Sequence, residues 1–302
     1  MIVAPAMSET ALKFGVRIMG VPLRDLTTVA AAFEAGGFES IWVQEHLVFP
    51  ADMPPTYPYS DDGQPPVTPE TPVYDAWAVL AHLASATSRI RLGTNVYILP
   101  LRHPLQTART VVTVDRLSQG RVVLGVGVGW LEEEFDYVGA PFKDRGRRAD
   151  ATIAVLRRLW SEDVVEVDNE HFSFGPVRFR PRPVRPAGIP IEVGGSAPAA
   201  LRRAGRLGDG WIEIGCTDLA DFRAKLSVVD EARREADRQE AAFEVSLQGR
   251  GGWGRDDYLR AQEAGATRII VGPPVGADGR MSAASVQDWA GRFSQDVIQR
   301  VG

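Results

Sequence analysis

Along this chain a short, mostly apolar run followed by a segment with helical apolar spacing recurs eight times. The apolar runs fall at residues 13–19, 40–44, 90–98, 122–126, 189–193, 210–214, 243–247 and 268–271. Helical spacing follows at 25–35, 74–86, 104–118, 147–160, 196–206, 219–238, 255–264 and 282–299. Runs without polar alternation mark strands buried on both faces, as in a parallel sheet covered by crossover helices. Eight such units in succession predict an α/β fold, a (β/α)8 TIM barrel, over an open doubly wound sheet. The punctuation agrees: Asp25 stands as an N-cap, Gly36-Gly37 as a stop, Pro104 in a first helical turn and Gly120 at a C-terminal stop.

Two insertions interrupt the rhythm, one after strand 2 and one after helix 4. Residues 50–72 carry eight of the 21 prolines together with Tyr57 and Tyr59. A segment this long is a functional lid or a disordered loop, and its attachment after a strand puts it at the C-terminal face, where barrel active sites sit. In the second insertion, residues 164–167 and 171–174 flank Asp168-Asn169-Glu170 and read as a hairpin. Residues 1–12 read as a flexible leader and 13–302 as a single barrel domain.

Composition narrows the function classes. With 34 Lys+Arg against 39 Asp+Glu, the net charge of −5 argues against a general nucleic-acid binder. Cys216 is the one cysteine, so no intrachain disulfide forms and a reducing, cytoplasmic setting is expected. No run of about 18 apolar residues suggests a membrane span, and residues 1–10 lack the basic start of a secretory signal.

In a barrel the chemistry is expected where strands end. The second strand ends in Gln44-Glu45-His46, and an imidazole there can exchange protons near neutrality. Of the other histidines, His82 lies mid-helix and reads as structural. His103 is a helix cap or a rim residue, and His171 faces solvent in the hairpin. The fourth strand ends Gly125-Val126-Gly127-Val128-Gly129-Trp130, which misses the dinucleotide fingerprint because Trp130 falls where its last glycine belongs. Gly194-Gly195-Ser196, just before a helix, reads either as an anion site or as a turn capped by Ser196. Glu192 and Glu213 read as a polar core layer. No H-x-H metal motif occurs, so no metal is expected, and Cys216 has no neighbouring histidine to activate it.

Six segments in order carry a resemblance: FESIWVQEHL, RIRLGTNVYILPLRHP, TARTVVTVDRLSQGR, VVLGVGVGWLEEEFDYVG, FKDRGRRADATIAVLRRLW and PIEVGGSAPAALRRAGRLGDGW. The chain resembles the luciferase-like flavin/deazaflavin oxidoreductase superfamily, and its GVGVGW-x-x-E-E-F and D-R-G-R-R-A-D segments look most like the branch that uses coenzyme F420. The resemblance implies hydride exchange between F420 and a small-molecule substrate, with His46 handling the proton and Glu45 beside it. It further implies a non-proline cis peptide between Asn95 and Val96 against the ring, Val128-Gly129 along the cofactor, and Gly194, Gly195 and Ser196 near its phosphate-bearing tail. The alternative is an FMN-dependent monooxygenase that takes reduced flavin from a separate reductase and activates O2. Trp130 stands where the sugar-6-phosphate dehydrogenase branch has a proton-donating glutamate. That departure argues against a sugar phosphate and for an apolar or aromatic substrate, lined by Trp130 and Tyr57. The resemblance also implies a homodimer through the helices after strands two and three, where Trp77, Leu80, Val111, Val112 and Val114 suggest a surplus of apolar surface.

Overall fold

The computed structural model describes residues 11–274 and 281–301. Its elements run β1 (Lys13–Arg17), α1 (Leu26–Ala35), β2 (Ser40–Val43), α2 (Ala76–Ala86), β3 (Arg91–Thr94), β4 (Tyr97–Ile98), α3 (Pro104–Leu117) and β5 (Val122–Gly127). There follow α4 (Glu132–Tyr137), α5 (Arg145–Ser161), β6 (Val165–Asp168), β7 (Ser173–Val177), β8 (Ile191–Gly194), α6 (Pro198–Leu207) and β9 (Gly210–Ile212). The chain continues through α7 (Leu219–Glu235), β10 (Glu244–Gln248), α8 (Arg255–Glu263), β11 (Arg268–Val271) and α9 (Ala283–Phe293). Strands pair in parallel in the order β3-β2-β1-β11-β10-β9-β8-β5, and the β3–β5 pairing closes the ring into an eight-stranded barrel. Residues 44–75, between β2 and α2, hold no helix or strand, and the antiparallel hairpin β6–β7 follows α5.

The barrel interior explains several sequence choices. Trp42, Val123, Ile212 and Ile270 form one buried cluster. They come from alternate strands around the ring, the usual layering of a packed barrel. The Trp42 indole needs glycine on both flanking strands. A Cβ at Gly15 would lie 2.5 Å from its Nε1, and one at Gly93 would lie 2.5 Å from its Cζ3. Beneath this layer, where the strands begin, sits a buried ion cluster. Arg268 donates to both Glu192 carboxylate oxygens (3.0 and 2.9 Å), to Glu39 (3.0 Å), to Glu244 (3.1 Å) and to Ser246 Oγ (2.9 Å). Its guanidinium lies 5.1 Å from the Trp42 ring centre. Glu192 is thus part of a polar core layer, as expected. Glu213 is not: it lies at the other end of the barrel, accepting from the backbone N–H groups of Cys216 and Gln248.

Other expectations shift. Asp25 takes helical φ and ψ and caps nothing with its side chain, because a 3-10 turn at Leu23–Asp25 leads into α1. The third strand is broken in two at residues 95–96. His171 does not face solvent; its side chain is 9 % exposed, with Nδ1 3.2 Å from Asp144, because the hairpin folds over the start of α5. Residues 1–10 of the expected leader lie outside the described residues, and Leu12 is buried in the core. Trp77, Leu80, Val111, Val112 and Val114 are all buried within one chain, so they supply no spare apolar face for the expected homodimer. Among the described residues no helix is long and apolar enough to cross a membrane.

Candidate active site

The site begins with the break in the third strand. Thr94 Oγ1 donates to Gly125 O (2.7 Å) at the end of β3. The Asn95–Val96 peptide is cis, as the resemblance implied, and the chain resumes as β4, paired with the end of β5. Val96 thereby projects into the C-terminal mouth of the barrel. Its neighbours must give way: a Cβ at Gly127 or at Gly194 would lie 2.5 Å from a Val96 methyl. Gly129, at φ +81°, has Phe135 and Ile98 where a side chain would go. The glycines at the end of β5 and just beyond it therefore serve close packing, making room for Val96, Phe135 and Ile98.

His46 follows β2 on the same rim. Its Nδ1 lies 3.1 Å from Glu134 Oε2, on α4, and the Glu134 side chain is 0 % exposed. Glu134 Oε1 accepts from the backbone N–H of Leu47. A fully buried carboxylate with these partners holds the imidazole as a donor at Nδ1, leaving Nε2 as the basic nitrogen. The His46 ring sits 4.8 Å from that of Phe49 and 5.8 Å, edge-on, from that of Trp130. Glu45 points away from this pair and accepts from Ile98 N (2.7 Å) and Arg102. Burial pushes its carboxyl above the ordinary range despite the pull of Arg102.

Residues 49–67 close the mouth from above. Tyr57 meets Trp130 (5.2 Å) and Tyr59 (5.4 Å) edge-on. Tyr59 lies on Gly215, where a Cβ would come within 2.7 Å of its ring. Burial raises both phenols above their usual range, and the Ser196 backbone hydrogen bond on Tyr59 pulls the other way. This proline-rich segment therefore lies over the C-terminal end, the position expected of a lid. Under it is a cleft of about 1380 Å³.

Every candidate read from the sequence lines this cleft except Gly195. Gly195 is buried at φ +119°, and its carbonyl accepts from Trp211 Nε1 (2.8 Å). Ser196 does not cap α6; Ala197 holds that position, with Pro198 next, while Ser196 Oγ donates to Ile214 O. His103 proves to be a cap, its Nδ1 accepting from Leu105 N (3.2 Å), and His82 is exposed on α2. The Cys216 thiol, pushed up to about 12 chiefly by burial and then by Glu213, is unsuited to nucleophilic work. Sequence reasoning missed Glu134 as the partner of His46, and it missed Arg17, Gln248, Phe49 and Arg145 in the wall. Only the E-E-F spacing after Trp130 hinted at Glu134.

The profile of the luciferase-like monooxygenase family matches residues 4–295. The uncharacterized protein Rv0940c of Mycobacterium tuberculosis (strain ATCC 25618 / H37Rv) is 33 % identical over 244 residues, 81 % of this chain and 83 % of its own. The F420-dependent glucose-6-phosphate dehydrogenase of Beutenbergia cavernae is 31 % identical over 249 residues, 80 % of this chain and 67 % of its own. In fold, the chain is similar to the monooxygenase RslO1 of Streptomyces bottropensis, with a TM-score of 0.76, 20 % identity, and coverage of 96 % of this chain and 100 % of that one. The protein is an enzyme, and it belongs to the luciferase-like monooxygenase family.

Proposed function

We propose that the protein is an F420-dependent oxidoreductase acting on a small organic substrate. The observation that carries this reading is the His46–Glu134 pair beside a glycine-walled, lidded cleft at the barrel mouth. The residues present fit a flat ring: Val96, seated on Gly127 and Gly194, lines the cleft beside Val128 and Gly129 as a smooth wall with no charged side chain. The similarity to an F420-dependent dehydrogenase supports F420 over FMN. When bound, the deazaflavin supplies a carbon that exchanges a hydride with the substrate.

The chain itself supplies placement and proton handling. Val96, Asn95, Val128 and Gly129 hold the ring, with Arg145 donating to the Gly129 carbonyl (3.1 Å), and Gly194 and Ser196 lie toward the tail. His46 Nε2 takes or gives the proton that accompanies hydride transfer, with Nδ1 committed to Glu134. Trp130, Tyr57 and Phe49 form an apolar wall for the substrate and, with the lid, keep water out. The reading also places the enzyme in the cytoplasm, on the strength of a single free cysteine. The alternative is an FMN-dependent monooxygenase fed by a separate reductase, which the family's named activity favours. Fluorescence titration with F420 and with FMN decides between them. Tight F420 binding with weak FMN binding is expected. FMN binding alone, with O2 consumed when reduced FMN is supplied, would replace the first reading by the second.

A further inference from the structure

The Lys and Arg residues along the cleft are Arg17, Lys143, Arg145, Arg203 and Lys225, and Lys143 is exposed to solvent. Arg203 is paired with Asp150, and Lys225 with Asp221 at 2.7 Å. Arg145 donates to the carbonyls of Gly129 and Phe142 and has Glu132 nearby. Arg17, at the end of β1, is different. Its hydrogen bond runs from Nη1 to Gln248 Oε1 (3.0 Å), and no carboxylate among the described residues pairs with it. Gln248 is itself pinned, because its Nε2 donates to Glu213 O (3.3 Å) and its backbone N–H to Glu213 Oε2 (3.1 Å). The Arg17 side chain crosses Gly272 so closely that a Cβ there would lie 2.8 Å from Nε.

Such a side chain is built in, not draped on the surface. Burial holds the guanidinium below its usual range. A desolvated cation without a counter-charge is costly unless a ligand supplies one. Its position matters too. Around the ring, the surface assigned to the cofactor comes from the ends of β3, β5 and β8, whereas Arg17 and Gln248 stand on β1 and β10, across the mouth.

We propose that this arc is an anion subsite in which Arg17, steadied by Gln248, binds the carboxylate of an organic-acid substrate whose apolar body lies against Phe49, Tyr57 and Trp130. The proposal rests on the reading of the cleft as a joint cofactor and substrate site. A guanidinium offers two parallel N–H donors to a carboxylate, a match that a neutral amide does not make.

The test is calorimetric titration with benzoate and with its neutral counterpart benzamide, on cofactor-free protein and on protein saturated with F420. Benzoate is expected to bind about 10- to 100-fold more tightly than benzamide, the size of a hydrogen bond to a charged group. Arg17→Met should bring benzoate down to the level of benzamide and leave the F420 fluorescence titration unchanged. Arg17→Lys should fall between. Equal binding of the two probes, or a failure of benzoate to bind to either form, overturns the proposal. So does an Arg17→Met variant that loses F420 as steeply as benzoate, because Arg17 would then belong to the cofactor. If F420 never binds, the function proposed above fails, while the two probes on cofactor-free protein still read the subsite. If Arg17→Met does not fold, the wild-type comparison of the two probes decides alone.

Discussion

Replacing His46 by alanine separates a proton-handling role from a structural one. The imidazole makes one charge-assisted contact, to Glu134 Oε2 at 3.1 Å. Without it Oε2 loses that donor in a fully buried place, while Oε1 keeps the Leu47 amide. The loss is therefore that of one hydrogen bond to a charged group, roughly 1.5–3 kcal/mol. Unfolding entropy of about 2.1 cal/mol/K per residue, over a chain of this length, converts that into a fall in Tm of about 2–5 °C. Turnover should fall much further, by about 10²–10⁴, the usual scale of general acid–base catalysis. A thermal melt beside single-turnover kinetics at saturating F420 reads both quantities on one sample. F420 affinity should barely move, because the ring and tail contacts come from other residues. Near-native turnover in the folded variant would remove His46 from the mechanism. The sequence offers Glu45 and Glu213 next, yet Glu45 is held by Arg102 and Ile98, and Glu213 by Cys216 and Gln248. That outcome would therefore count against proton transfer by the protein at all.

Arg268→Met should destabilise the fold by about 3–5 kcal/mol, since it strands the buried Glu192 and leaves Glu39 to Arg91 and Glu244 to Lys13, and the deficit should shrink as pH falls and the carboxylates take up protons; a calorimetric deficit constant with pH would refute this. In the native protein Arg268, opposing burial, holds Glu39 and Glu244 below the ordinary carboxylate range, so their contribution is fully present above that range and is lost as pH falls through their lowered folded pKa values; a contribution from these two residues that grew on acidification, read by comparing wild type with Glu39→Gln and Glu244→Gln, would contradict the sign. Cys216 should react slowly with a disulfide reagent at pH 8 in the native protein and fast once unfolded, and rapid native labelling would show its thiol to be more acidic than its surroundings imply. Tyr59→Ala removes the ring that rests on Gly215 and should speed proteolytic cutting within residues 50–72 without moving the main melt; unchanged cutting rates would mean that the lid is held elsewhere.

The barrel was legible because each strand and helix is a local pattern. Apolar runs and glycine stops at Gly36-Gly37 and Gly120 needed no partner to be read. The cis bond and the cleft residues came through resemblance in the motifs. What stayed hidden depends on pairing across the chain. His46 and Glu134 are 88 positions apart, and nothing in the spacing of either tells of the other. In sequence Arg17 is one of many arginines; that no carboxylate among the described residues pairs with it is visible only in space. The short helix α4, of six residues, is too brief for a periodic signal. His171 was misread because a hairpin looks exposed in sequence, whereas this one is folded down on α5.

The buried cluster around Arg268 gives the molecule a division of labour along the barrel axis. Its ions sit where the strands begin, and the loops that carry His46, Trp130 and Tyr57 leave from where they end. A segment such as 44–75 could be exchanged for one of another length, and the rivet below would still fix strand order and register. New substrate preferences can then arise by loop grafting, with the anchoring end left untouched. A chimera that keeps Arg268 and its three glutamates should retain the parent's cooperative melt, however different its mouth becomes.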